Sequence, residues 1–146
     1  MYTETVREAD EDVRVVNTES RYVEPGEVMD RVTASLEPSD AETVYKKIDS
    51  TLRGNLVPEV SATVTETDVT SAVVVPAFPA NGRTTVEGLH LVDGTPVAQT
   101  EFNEDEADPL ETSHIPTIFE RRDEAVAHVS LERVEAGLSP LVTEFR

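Results

Sequence analysis

Cysteine and tryptophan are absent from these 146 residues, and lysine occurs only at Lys46 and Lys47. Without cysteine there are no disulfides and no thiolate-bound metals, while the redox compartment stays open. No run of eighteen apolar residues occurs, so the pattern contains no transmembrane helix and no membrane partner is expected. The opening Met1-Tyr2-Thr3-Glu4 lacks the basic-then-apolar order of a signal peptide, which makes a cytoplasmic protein the default expectation. Neither Gly-x-x-x-x-Gly-Lys-Ser/Thr nor Gly-x-Gly-x-x-Gly is found, so no nucleotide site is recognisable. His90, His114 and His128 stand far apart with no second ligand at helical spacing, and no metal site is expected. Ser50 has no nucleophile-elbow context and no histidine close in sequence.

What is abundant is carboxylate. Thirty acidic residues against twelve basic ones give a net charge of -18. The acids alternate with Val, Leu and Ala instead of forming one block, which suits the solvated face of a folded domain. Such a surface resembles proteins of salt-loving archaea, because molar salt screens self-repulsion within about 3 Å. It also argues against nucleic acid as a partner, since a phosphate backbone requires basic surface.

The chain is long enough for one ordinary domain. Residues 1–12 form a polar segment, and 13–146 carry the fold. Val13–Asn17 and Thr43–Ile48 read as short strands, and Ser71–Pro76 as the clearest one, a continuous apolar run of the kind found in buried parallel strands. Glu24-Pro25-Gly26-Glu27 opens a helix whose apolar face is Val28, Met29, Val32 and Leu36. A second helix runs from Asn55 to about Thr65, with Leu56, Val60 and Val64 on one face. Residues 77–85 read as a long loop. Leu89–Val92 and Pro96–Ala98 flank Asp93-Gly94-Thr95, a hairpin signal. Glu101–His114 reads as a polar loop, Ile115–Arg121 as a short helix, and Ala125–Val129 as a last strand with His128 in its core. The expected architecture is α/β: an open, mostly parallel three-layer sheet with an inserted β-hairpin.

In an open α/β sheet the polar segments after the strands converge on one crevice. Asn17–Arg21, Lys46–Asn55, Pro76–Thr85 and the region near His114 fall there. They supply Arg21, Arg53 and Arg83, one of Lys46 and Lys47, and the polar side chains Ser20, Ser50, Thr51, Asn81 and Thr84. Arginines with hydroxyls at a helix start suit a carboxylate or a phosphate. Asp49 is a carboxylate in this basic setting and can accept bonds from sugar hydroxyls. The same residues also have plain readings. Any one arginine can pair with a surface acid, Asp49, Ser50 and Thr51 can cap the next segment, and Gly54 and Gly82 can serve turns. Adjacent Lys46 and Lys47 alternate faces on a strand, so at most one enters a given crevice.

Tyr45-Lys46-Lys47-Ile48-Asp49-Ser50-Thr51-Leu52-Arg53-Gly54-Asn55 resembles a signature of the four-carbon acid sugar kinase family. Val16-Asn17-Thr18-Glu19-Ser20-Arg21 resembles the preceding strand and turn of that family. Val75-Pro76-Ala77-Phe78-Pro79-Ala80-Asn81-Gly82-Arg83-Thr84-Thr85 is similar to a second long signature, followed by Gly88-Leu89-His90-Leu91-Val92-Asp93-Gly94. Thr100-Glu101-Phe102 and Glu111-Thr112-Ser113-His114-Ile115-Pro116 match further blocks. The resemblance covers most of Arg14–Pro116.

The resemblance implies the N-terminal, acid-sugar-binding domain of a two-domain kinase that phosphorylates threonate, erythronate or oxo derivatives. It implies ATP and Mg²⁺ held mainly in a C-terminal domain, so a separate nucleotide-binding domain or subunit is an expected partner. It makes Ser20, Arg21, Lys47, Asp49, Ser50, Arg53, Asn81 and Arg83 the candidate acid-sugar ligands and leaves the general base unassigned. The family pattern begins with a strand and an Asp-Asp-x-Thr-Gly loop not found before Val13, and its nucleotide domain does not follow Arg146. The expectation is therefore a chain truncated at both ends and inactive alone. A non-catalytic acid-sugar-binding module and a degenerate kinase remnant are the alternatives.

Overall fold

A computed structural model describes residues 14–37, 42–67, 69–104, 109–120, 126–137 and 139. The chain divides into two compact units. Met1–Ile48 with Gly54–Val74 form the first, and Asp49–Arg53 with Val75–Arg146 form the second.

The first unit is built on two helices, α1 (Pro25–Leu36) and α2 (Leu56–Glu66). Pro25 starts α1 because its missing N–H is one the first turn leaves unpaired anyway, and Glu27 adds a favourable charge there. Val28, Val32 and Ala62 form the fully buried cluster, with Val23 and Leu36 packed around it. Burial of each valine contributes about 2 kcal/mol. Met29, expected on the buried face, is 39% exposed. On α2 the buried set is Leu56, Val57, Glu59 and Ala62, so the buried face is rotated from the expected Leu56-Val60-Val64 line. The cause is Glu59, which goes inside because its carboxylate finds two partners there.

Segments 14–17, 43–48 and 71–76 carry no ladder among the described residues. Val15, Val73 and Val75 are 91%, 68% and 70% exposed. A parallel strand exists only between neighbours that satisfy its backbone, and these runs have none among the described residues. The difference from the expected sheet is one of pairing; the α/β class holds.

The second unit contains an antiparallel sheet, β1 (Arg83–Val86), β2 (Leu89–Val92) and β3 (Thr95–Pro96), in the order β1-β2-β3. Arg83 pairs with Val92 and Val86 with Leu89; Val92 also pairs with Thr95. Both connections are two-residue turns with positive φ, Glu87 (48°) with Gly88 (76°) and Asp93 (49°) with Gly94 (83°). That geometry matches the right-handed twist of the strands it joins. The expected Asp93-Gly94 hairpin is present. The expected loop over 77–85 is corrected: it holds a 3₁₀ turn at Pro79–Asn81 and then β1. Thr84-Thr85-Val86 before Glu87-Gly88 was the signal, β-branched residues running into a glycine turn.

The polar stretch after the sheet forms α3 (Glu101–Glu104), fixed by buried Asn103. Its amide donates to Ala98 O and Leu110 O at 3.1 Å each, and its oxygen accepts from Leu110 N–H at 2.6 Å. Two short helices follow, α4 (Ile115–Glu120) and α5 (Leu131–Glu135). Residues 126–129 are not a strand, and His128 is exposed, not packed in a core. Ala127 is exposed as well, so this run gains no burial from pairing. Position 125 and residues 141–146, the start of another expected helix, lie outside the described residues.

Candidate functional site

In the second unit the turn Asp49–Leu52 closes through Leu52 N–H donating to Asp49 O at 2.9 Å. Leu52 is 1% exposed and has φ of 59°, a conformation that costs a side chain with a Cβ about 1–2 kcal/mol. Burial of the leucine holds it there. Asp49 works inside the turn: one oxygen accepts from Thr51 N–H at 3.3 Å, the other from Thr51 Oγ1 at 3.2 Å and Arg53 Nε at 2.7 Å. The pair with Arg53 is half sheltered, with side-chain exposures of 30% and 11%. Asp49 thus fixes the direction of Arg53.

The backbone of the turn is anchored by His90, which the sequence offered as a weak metal-ligand candidate inside a matched block. His90 is fully buried on β2. Its Nε2 lies 2.8 Å from Ser50 O, and its Nδ1 lies 3.0 Å from Thr85 Oγ1. A carbonyl only accepts, so Nε2 carries the proton, and in the neutral ring Nδ1 accepts from the threonine. The hairpin therefore grips the Asp49–Arg53 turn through one imidazole.

Arg53 and Arg83 meet at Phe102. Their guanidinium carbons lie 5.6 and 5.5 Å from the centroid of its ring, within cation–π range. Arg83 Nη1 donates to Asn81 O, while its buried Nε has no hydrogen-bond partner among the described residues. A buried donor left unmade costs about 1–3 kcal/mol. Of the sequence candidates, the structure brings together Asp49, Ser50, Arg53, Asn81 and Arg83 in this unit. Ser50 contributes its carbonyl, and the side chain of Asn81 is exposed.

Ser20, Arg21 and Lys47 belong to the first unit. Ser20 is 1% exposed; its hydroxyl lies 2.7 Å from Thr18 Oγ1 and donates to Glu59 Oε1 in a short contact. Glu59 Oε2 pairs with Lys46 Nζ at 2.6 Å. Lys47 is exposed, its ammonium donating to Ile48 O at 2.7 Å. The guanidinium of Arg21 sits 5.9 Å from the Tyr22 ring centroid. Asn55, not singled out by sequence reasoning, ties the Ser20–Val23 turn by donating to Ser20 O at 2.8 Å and Val23 O at 2.7 Å. Gly54 follows the same turn closely: at φ of 79°, an added Cβ would lie 2.7 Å from Arg21 O.

Among the described residues no group of three His, Asp or Glu side chains is placed to hold a metal ion. No described helix is long and apolar enough to cross a membrane.

The α/β domain thus gathers two arginines on one ring, one of them oriented by an aspartate. The chain belongs to the sugar-binding N-terminal domain family, whose model matches residues 1–145. It is 44% identical over 140 residues to the D-threonate kinase of Salmonella typhimurium, covering 92% of this chain and 33% of that protein. It is 37% identical over 131 residues to the D-erythronate kinase of Heliobacterium modesticaldum, covering 86% and 30%. Among solved structures it is similar to a domain of unknown function from Bordetella bronchiseptica, crystallised with bound citrate as a domain-swapped dimer. That likeness has a TM-score of 0.63 and 35% identity, over 69% of this chain and 26% of the other. A Haemophilus influenzae protein shares the fold at a TM-score of 0.74 and 22% identity, over 87% of this chain and 33% of the other. The chain therefore spans about a third of the length of the kinases it matches. These relatives are bacterial, so they give no support to an archaeal source; the halophile reading rests on charge alone.

Proposed function

We propose that this chain is the acid-sugar-binding part of an ATP-dependent kinase for four-carbon acid sugars such as threonate and erythronate. The observation that carries the reading is the arginine pair at Phe102. Arg53 is aimed by Asp49, and Arg83 keeps a buried Nε donor with no acceptor among the described residues. Two guanidiniums match the planar oxygens of a carboxylate, and an acceptor from the ligand would relieve the unmade bond. The names of the kinases it resembles, and the citrate in a relative 35% identical, support an organic acid with hydroxyl groups as the ligand.

In this reading Arg53 and Arg83 take the carboxylate, while Ser50 and Asn81 border it. Asp49 orients Arg53 and is not assigned as a base. Ser20, Arg21 and Lys47 stay candidate ligands on sequence grounds. ATP with Mg²⁺ would come from a nucleotide-binding domain or subunit other than the residues described, so the chain alone would bind the acid and transfer no phosphoryl group. Calorimetry of the full chain in molar KCl tests this. Heat with D-threonate or D-erythronate at millimolar ligand is expected; silence with both would remove the reading.

A further inference from the structure

We propose that Phe102 is a positioning residue for the acid's carboxylate, acting through Arg53 and Arg83. The inference rests on the acid-sugar reading above and adds what aims its cations. One ring faces two guanidiniums at nearly equal distance, 5.6 and 5.5 Å. Like charges gathered so closely repel, and this chain offers thirty carboxylates to draw either arginine elsewhere. The negative face of an aromatic ring opposes both tendencies without neutralising the charge, which a carboxylate in its place would do. Arg53 has a second restraint at Nε from Asp49, and Arg83 has one at Nη1 from Asn81 O. The ring is an element common to both.

Phe102 is not the residue that anchors its own helix. Asn103 is the buried side chain of α3 and holds the segment through Ala98 and Leu110. Phe102 is only half-buried. A half-buried phenylalanine, next to a separately anchored neighbour and touching two cations, fits orientation of those cations better than core filling.

The test compares Phe102→Leu, which keeps an apolar side chain but loses the ring, with Phe102→Trp, which keeps a ring. Calorimetry of the full chain with D-threonate and with the neutral polyol threitol reads affinity, and heat unfolding reads the fold. Phe102→Leu is expected to weaken threonate binding about tenfold, as expected for loss of two modest cation–π contacts. Phe102→Trp should stay within about twofold of the unsubstituted chain, and threitol binding should not change. Equal affinity for threonate in Phe102→Leu and the unsubstituted chain would overturn the inference while leaving the acid-sugar reading standing. If the unsubstituted chain binds threonate no better than threitol, the acid-sugar reading falls and this inference with it. The proton resonance of Arg83 Nε–H gives a readout without ligand. It should move downfield in Phe102→Leu as the ring current is lost, and an unmoved resonance would overturn the inference. If Phe102→Leu does not fold, Phe102→Trp decides: retained threonate affinity supports the role, and loss in a folded protein overturns it.

Discussion

The charged clusters of the two units differ in how far they are closed. In the first, Ser20, Glu59 and Lys46 close a network on themselves, and a carboxylate, a hydroxyl and an ammonium all find partners inside the protein. In the second, Asp49 pairs with Arg53, while the buried Arg83 Nε has no acceptor among the described residues. A closed network serves folding, because every group that lost water has been given a replacement. An open one costs stability and is explained when a ligand supplies the missing acceptor. On the proposed reading, the charged residues of the two units divide into structural and ligand-facing roles.

Removing a cation at Phe102 should break this division most visibly. Arg53→Ala or Arg83→Ala is expected to weaken threonate binding by about 10- to 100-fold, the worth of a charge-assisted bond of about 1.5–3 kcal/mol. Arg133→Ala, on α5, should leave affinity unchanged in the same calorimetric series, and equal losses at all three positions would refute the assignment. Breaking the closed network should do the reverse. Glu59→Ala is expected to cost about 2 kcal/mol in urea unfolding, below the range for fully buried pairs because Lys46 is 23% exposed. Affinity for threonate should survive in the protein that remains folded, and a stable variant that no longer binds would erase the distinction between the units.

Gly54→Ala comes next, at about 1–2 kcal/mol of stability, from the left-handed backbone and the approach to Arg21 O. A thermal melt unchanged by this substitution would show that the Ser20–Val23 turn can move aside. The smallest effect is diffuse. With a net charge of -18, the chain should melt a few degrees higher in molar KCl than in dilute buffer. Equal melting temperatures would end the halophile reading.

The helices and the Asp93-Gly94 hairpin were legible because each is written locally. Pro25 and Glu27 open α1, Val28 and Val32 share a face, and Asp-Gly carries its own turn. Family signatures made the arginines at 53 and 83 legible as well. What could not be read is whatever depends on partners distant in sequence. Nothing near Glu59 says that it will be buried, because its partners lie at Ser20 and Lys46. His90 looked like an isolated histidine until Ser50 and Thr85 were placed around it, and Phe102 belonged to a matched block without a role. The runs at 14–17, 43–48 and 71–76 were read from composition as strands, yet pairing needs a neighbour, which composition cannot supply. His128 failed for the same reason.

The most direct test of the central claim is a threonate titration of the full chain and of Arg83→Ala in molar KCl, with threitol as the neutral control. The account predicts that the unsubstituted chain prefers the acid, and that Arg83→Ala loses this preference by about tenfold or more without losing its folded melt. A preference for the acid that survives Arg83→Ala undiminished would contradict it.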